Sequence, residues 1–559
     1  MAQYGADQEQ SLRLFGRVRG ASAGLRVVVW SVLTVVAFAL VGAFAGPAWQ
    51  PNPVTATVEP ATADTAVSAA SWGGTEAVGR YETVSRQESV QSEGVEIEVL
   101  IVEPVGLADP APAVVFLHGA GTGRAQSFAE HATALASAGI VAVVPDKRLD
   151  TYTTFQRDYE AMAVDYAVTY EMARELPGVD PDRVGLYAES EGTWIAPVLA
   201  QEHPEVAFQA LISAPIVTPR EQAAFAVDAY LRNVGVPHSL LRAIPRGAGA
   251  HLPGGILAYA DFDVLPYLAA DPQPIFMAYG TQDASMPTVQ APQIVAGVVP
   301  GGTDQVMLRY YEGANHGIRI GSSTDPVVGA FFEDLSRWML DPAEAMAQGP
   351  AVAGATPSQL NLADAVPEPQ WYADGEMLLR VPLASAATLA GGVLILLVSS
   401  ALVRVRGRVS STRSVALAGE GGDEEIGGDG EEAGASVGVG RSATGGLETT
   451  GLARPLSWLV AMTLLVLASL LAYIVAVARL ALDYSTDAVL VWGGWVLVQA
   501  LAVAAAVSLV FSVRALPGAA RACSGQHRVW TLLGAGATIL GCVGLLIVAG
   551  YWGAFSPIS

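Results

Sequence analysis

A mainly parallel α/β sheet with helices on both faces, joined to about five transmembrane helices, is the architecture this sequence predicts. Three observations carry it. Five long apolar runs punctuate the chain, short β-branched runs alternate with helical patterns between about Tyr81 and Leu340, and several of the short runs end in loops of small, chemically active residues.

With 559 residues the chain exceeds one ordinary domain, and its apolar runs are longer than a soluble core needs. The formal net charge of −23, with almost every basic residue an arginine, argues against a nucleic-acid partner, which needs clustered cations. Both cysteines, Cys523 and Cys542, lie near the end of the chain, so the α/β region holds no disulfide and no thiolate metal site. No metal or cofactor is implied. The preference for Arg, Ala, Gly and Val is that of a GC-rich bacterial coding sequence.

The first apolar run, Val27 to Phe44, follows Arg13, Arg17, Arg19 and Arg26, the pattern of a segment inserted with its N-terminus in the cytoplasm. Ala43-Phe44-Ala45 fits a signal-peptidase site. The length of the run, close to the roughly 20 residues that cross a bilayer, favours a retained anchor. Four further runs, Leu378 to Val403, Leu456 to Leu480, Ala488 to Val513 and Val529 to Phe555, are each long enough to span. Arg404, Arg406, Arg408 and Arg413 follow the second span, and Arg514, Arg521 and Arg528 fall between the last two. Five crossings from a cytoplasmic N-terminus place every arginine cluster inside and the region from about 47 to 375 outside. The protein is thus expected in the cell membrane as a multi-pass chain. Apart from their ends the spans hold no ionisable side chain, which argues against a proton or ion pathway.

The expected organisation is a cytoplasmic tail (1–26), a span or signal anchor (27–45) and an extended Pro/Ala/Thr-rich linker (46–75). An α/β domain (76–345) with an inserted cap (215–272) follows, then a second linker (346–377) and a span (378–403). An acidic, disordered cytoplasmic loop (404–455) leads to a three-helix transmembrane region (456–559). Glycine alternates with Asp and Glu between Glu420 and Glu432, too polar to bury a core.

Core strands are expected at Ala113–Leu117, Val141–Val144, Val184–Tyr187, Ala210–Ser213, Ile275–Tyr279 and Val306–Tyr311. The first runs into His118-Gly119-Ala120-Gly121, where small residues let backbone N–H groups approach a ligand. The third runs into Ala188-Glu189-Ser190-Glu191-Gly192 and then a helical pattern, the strand–turn–helix of a nucleophile elbow. A serine nucleophile needs a base, and the base an orienting acid, in the order Ser, Asp or Glu, His. Asp283 follows the strand ending at Tyr279, and His316 follows the strand ending at Tyr311. Ser190, Asp283 and His316 are therefore the candidate triad, with Glu221 as a reserve acid and the N–H groups of Ala120 and Glu191 as candidate oxyanion donors. Taken singly, an N-cap serine, a turn-forming aspartate and a loop histidine are the ordinary alternatives.

Together with Pro145-Asp146-Lys147-Arg148, Ile195-Ala196-Pro197 and Asn315-His316-Gly317, these motifs make the sequence resemble the α/β-hydrolase superfamily, and within it the bacterial esterase and serine aminopeptidase-like branch. About 260 residues carry the resemblance. Departures are Ala188 and Thr193 where glycines are usual, and Leu149 where glycine usually follows the Asp-Lys-Arg run. The resemblance implies a serine hydrolase that cleaves an ester or amide of a small or lipid-like acyl substrate, with the insertion as a cap. An envelope acyltransferase or peptidase is compatible with the same residues, as is a non-catalytic membrane scaffold on a hydrolase fold. The cap aromatics Phe225, Tyr230, Tyr259, Phe262 and Tyr267 suit an apolar substrate, or simply hold the cap together.

Overall fold

The computed structural model describes residues 23–68, 76–419, 451–482 and 485–556. Most of the N-terminal tail, the acidic stretch from Glu420 to Glu432 and the end of the first linker lie outside these residues. The chain divides into two compact units: one of Ala48–Arg232 and Gly247–Glu368, the other of Met1–Pro47, Asn233–Arg246 and Pro369–Ser559.

The first unit is built on a nine-stranded sheet. Its strands are β1 (Thr83–Ser92), β2 (Val95–Pro104), β3 (Ala111–Leu117), β4 (Val141–Pro145), β5 (Val179–Glu189), β6 (Gln209–Ile212), β7 (Ile275–Gly280), β8 (Val306–Tyr311) and β9 (Val352–Gly354). The spatial order is β1-β2-β4-β3-β5-β6-β7-β8-β9. β1 pairs with β2 and β2 with β4 in antiparallel fashion, and all remaining pairs are parallel. This is the α/β-hydrolase fold. The strand order reverses between β3 and β5, the place where an open parallel sheet leaves a crevice at its carboxyl edge.

Because both faces are covered, β3, β7 and β8 are buried along their whole length rather than alternating, and only Arg309 of β8 among their side chains is charged. Ile275, Met277 and Tyr279 of β7 pack on one face with helices α1 (Tyr159–Glu175), α2 (Gly192–Glu202) and α3 (Gln290–Val298). Phe276 and Ala278 pack on the other, against Phe331, Leu335 and Trp338 of α4 (Gly329–Leu340). All six expected strands are present. The β1–β2 hairpin and β9 are additional, and β9 carries the sheet beyond residue 345.

The described part of the first linker, 46–68, is extended, but it is bound rather than free. Ala61 N–H donates to Val352 O at 3.0 Å, Gly354 N–H to Thr62 O at 2.8 Å, and Arg309 Nε to Thr65 O at 2.7 Å. Edge strand β9 exposes backbone groups that need partners, and an extended segment beside it supplies them.

Among the described residues of the second unit, five helices are long and apolar enough to cross a membrane: Gly24–Phe44, Gly375–Arg406, Ala453–Leu482, Val489–Ala522 and Gly525–Tyr551. The second of these continues as helix to Gly419, past the expected end at Val403. Small residues set the closest approaches, as membrane helices require. A Cβ on Gly541 would sit 2.5 Å from the backbone nitrogen of Leu389, and one on Gly544 would sit 2.1 Å from Ser385 Oγ. The first apolar helix belongs to this packing: Phe38 stacks on Phe555, and Gly42 faces the backbone of Gly550. Of the stretch 215–272 expected as a cap, Asn233–Arg246 groups with these helices. Arg246 is buried there, donates to the carbonyls of Gly42 and Tyr551, and lies over the Tyr551 ring.

Candidate active site

Ser190 sits between β5 and α2 with φ at 54°, a left-handed conformation that a non-glycine residue adopts only under constraint. Its N–H donates to Ile212 O at 2.9 Å, and its carbonyl accepts from Thr193 N–H at 3.0 Å and Thr193 Oγ1 at 2.6 Å. Gly192 is required next to it, since a Cβ would lie 2.5 Å from Leu117 O at the end of β3. Ala188 is fully buried in the core, so its methyl group fits where glycine was expected, and Thr193 uses its hydroxyl to brace the turn.

Asp283 and His316 are brought together by the loops after β7 and β8. His316 Nδ1 donates to Asp283 Oδ2 at 2.8 Å, which fixes the proton on Nδ1 and leaves Nε2 as the basic nitrogen. The aspartate side chain is fully buried, whereas the histidine side chain is 32% exposed. Gly280 allows this approach, because a Cβ there would lie 2.2 Å from Ala314 O. Burial pushes the imidazole pKa down, but the Asp283 charge and hydrogen bond, helped by Glu189, outweigh it and lift the value to about 9. Burial likewise raises the Asp283 carboxyl, and His316 and Ser285 together bring it below the usual carboxylate range.

Among the described residues no hydrogen bond joins the Ser190 hydroxyl to His316. Such contacts are often long without substrate and tighten in the bound complex. Glu189, next to Ser190, is close enough for its charge to act on His316. The reserve acid Glu221 is not part of the site: it accepts from Thr218 N–H and Oγ1 at 3.0 Å at the start of the helix Pro219–Val234.

Several supporting residues were not anticipated. Ser285 donates its N–H and Oγ to Asp283 Oδ1 at 2.9 and 2.6 Å, and its Oγ lies 3.2 Å from His316 Nδ1. The Asp-x-Ser spacing, which favours a side-chain turn, was the available signal. Ser213 Oγ donates to His316 O at 2.8 Å and anchors that loop.

On the loop after β3, a Cβ on Gly119 would come within 3.3 Å of Ser190 Cβ, so this loop runs beside the nucleophile candidate. Ala120 is exposed on it. His118 turns inward: Nε2 lies 2.7 Å from Pro145 O and Nδ1 3.1 Å from Thr122 Oγ1, and burial lowers its pKa to about 4. It is a neutral brace.

The Glu191 side chain is also buried. It accepts from Lys147 Nζ at 2.7 Å, Tyr152 OH at 2.8 Å and the Arg157 guanidinium. Tyr152 and Arg157 line a cavity of about 550 Å³ with Phe155, Ile256 and Tyr259. Of the other cap aromatics, Phe262 and Tyr267 stack on one another and pack on the sheet core, and Phe225 joins a small cluster with Val217.

No family model matches the chain, and no curated protein does. Solved structures similar to it include Est1E from Butyrivibrio proteoclasticus (13% identity, TM-score 0.32, 47% of this chain and 99% of that one). A cold-adapted esterase from an Arctic intertidal metagenomic library is similar at 14% identity and TM-score 0.31, over 46% and 97% of the two chains. The 2,6-dihydroxy-pseudo-oxynicotine hydrolase is similar at 15% identity and TM-score 0.34, over 49% and 71%.

Proposed function

We propose that this protein is a membrane-anchored serine hydrolase that cleaves an ester, or an amide, through a Ser190–His316–Asp283 triad and an acyl-enzyme, with the α/β unit outside the cytoplasm. The observation that carries the reading is the left-handed Ser190 elbow at the same carboxyl edge of the sheet as the 2.8 Å His316–Asp283 pair. Ser190 Oγ attacks the carbonyl carbon while His316 Nε2 takes its proton. The tetrahedral oxyanion is held by the N–H groups of Ala120 and Glu191. His316 then returns the proton to the leaving group, and a water deprotonated by the same nitrogen releases the acid. Asp283 holds the ring and offsets the imidazolium charge.

The cavity lined by Tyr152 and Arg157, which both bond the Glu191 carboxylate, is the proposed seat for part of the substrate. Its lining combines Tyr152, Phe155, Ile256 and Tyr259 with the charged Arg148, Arg157, Asp158 and Asp165, which suits an amphiphilic acyl compound. Sidedness rests on Arg404, Arg406 and Arg408 at the end of one span and Arg514, Arg521 and Arg528 between the last two.

A membrane-impermeant fluorophosphonate probe on intact cells tests both parts at once. Labelling of the wild type and none of Ser190→Ala is expected, together with a loss of ester hydrolysis of about 10³-fold or more in the purified variant. Undiminished hydrolysis by Ser190→Ala would end the triad reading. Labelling only after cell lysis would reverse the sidedness.

A further inference from the structure

Lys147 is the only lysine in a chain whose 30 lysine and arginine residues are otherwise all arginine. It stands just after β4, with its side chain 1% exposed. Its ammonium makes two hydrogen bonds, to Glu191 Oε2 at 2.7 Å and to Gly119 O at 2.9 Å, and lies 4.2 Å from the centre of the Tyr152 ring. A compact three-donor ion fits this set of partners, where a planar guanidinium would not. A buried ion pair is weak evidence for stability, since apolar replacements often serve as well. What Lys147 touches is therefore more informative than what it contributes to the fold.

Its two acceptors belong to the two halves of the oxyanion hole proposed above. Gly119 C=O and Ala120 N–H are opposite ends of one peptide group, and in a planar trans peptide they point in opposite directions. No cis peptide occurs among the described residues. Holding Gly119 O on the ammonium thus aims the Ala120 N–H away from Lys147, on a loop whose Gly119 lies against Ser190. The second acceptor is the side chain of Glu191, whose own N–H is the other donor. Arg157 and Tyr152 hold that carboxylate from further sides, so residue 191 cannot turn without breaking several charge-assisted bonds.

We infer that Lys147 is a positioning residue that clamps the two halves of the oxyanion hole in register, through Gly119 O on one side and the Glu191 carboxylate on the other. The inference rests on the serine-hydrolase reading and on Ala120 and Glu191 as donors. Lys147 does not touch the reacting atoms; it keeps the donors pre-aimed so that they need no reorganisation when charge develops.

The test uses the full-length protein in detergent with a soluble ester and a transition-state analogue such as a trifluoromethyl ketone. Lys147→Met is expected to lower kcat by about 10²-fold with little change in KM, because losing the aim of one donor approaches losing the donor. The Ki of the ketone should rise in proportion to the loss in kcat/KM, which a merely structural lesion would not produce. Since Lys147→Met leaves the buried Glu191 carboxylate with one of its two cationic partners removed, the double variant K147M/E191Q, which keeps the residue-191 N–H, separates folding from aim. Wild-type melting behaviour with kcat still depressed supports the clamp. Recovery of kcat in the double variant, or wild-type kcat in Lys147→Met, overturns it. Ser190→Ala, assayed alongside, distinguishes the failures: if it is inactive while Lys147→Met is unimpaired, only the clamp falls, and if it is active the hydrolase reading falls as well.

Discussion

The α/β unit and the helical unit both bring backbones closer than a side chain allows, yet they bury different things at those contacts. In the α/β unit the close approaches at Gly192 and Gly280 lie among buried charge: Asp283, Lys147 and Glu191 are all under 8% exposed. In the helical unit the buried polar side chains include hydroxyls such as Thr538 and Ser512, which donate to carbonyls one turn back on their own helices, while the buried Arg246 donates to the backbone carbonyls of Gly42 and Tyr551. Hydroxyls bonded to their own helix cost little in an apolar medium and offer no reactive group. On the serine-hydrolase reading proposed above, chemistry belongs to the sheet edge and packing to the spans.

The largest effect is expected at Asp283. Asp283→Asn keeps the size of the side chain but presents an N–H where Nδ1 needs an acceptor, so His316 loses the tautomer that leaves Nε2 basic. Steady-state kinetics should show kcat reduced by roughly 10³- to 10⁴-fold. The acid limb of the rate profile should move down from about 9 toward the ordinary imidazole value of 6.5, because the charge that lifts it is gone. A change in kcat of only a few fold would mean that the carboxylate does not orient the base.

Much of this edge was legible in the residues, because the signals there are local. The core strands are mostly apolar runs buried on both faces, and each candidate residue follows closely on its strand, so the order of the motifs maps onto the order of the loops. The β1–β2 hairpin was not legible: β1, with Arg86, Gln87 and Glu88 in sequence, is largely exposed on a sheet edge and shows no alternation. β9 has only three residues, and its evidence is the partner segment near Ala61, nearly 300 residues away. The Glu191 cluster was hidden for a related reason. A glutamate beside a nucleophile reads as exposed until β4 and α1 bring Lys147 and Arg157 to it. The lysine count alone hinted that position 147 was unusual.

An intermediate effect, on stability alone, is expected in the spans. Gly541 faces the backbone of Leu389, so Gly541→Leu forces the two helices apart at a cost of about 1–3 kcal/mol. The melting temperature in detergent should fall while kcat/KM on a soluble ester at low temperature stays within about twofold. Loss of activity without loss of stability would show that the spans take part in catalysis as well as in packing.

The smallest effect is the most diagnostic of the electrostatics around His316. Only the neutral imidazole can accept the Ser190 proton, so with a pKa near 9 the rate should climb with pH through the neutral range and level off above that value. Stability runs the other way. A group whose folded pKa is raised contributes most below its unfolded value, near 6.5, and that contribution is gone once pH passes about 9, so the His316–Asp283 ion pair weakens as activity rises. Glu189 adds to the lift, and burial raises its own carboxyl pKa. Glu189→Gln should therefore move the activity limb to lower pH, by less than Asp283→Asn does, and leave the plateau rate nearly unchanged. An unmoved limb would mean that Glu189 carries its proton through this range, leaving Asp283 alone to hold the charge of the imidazolium.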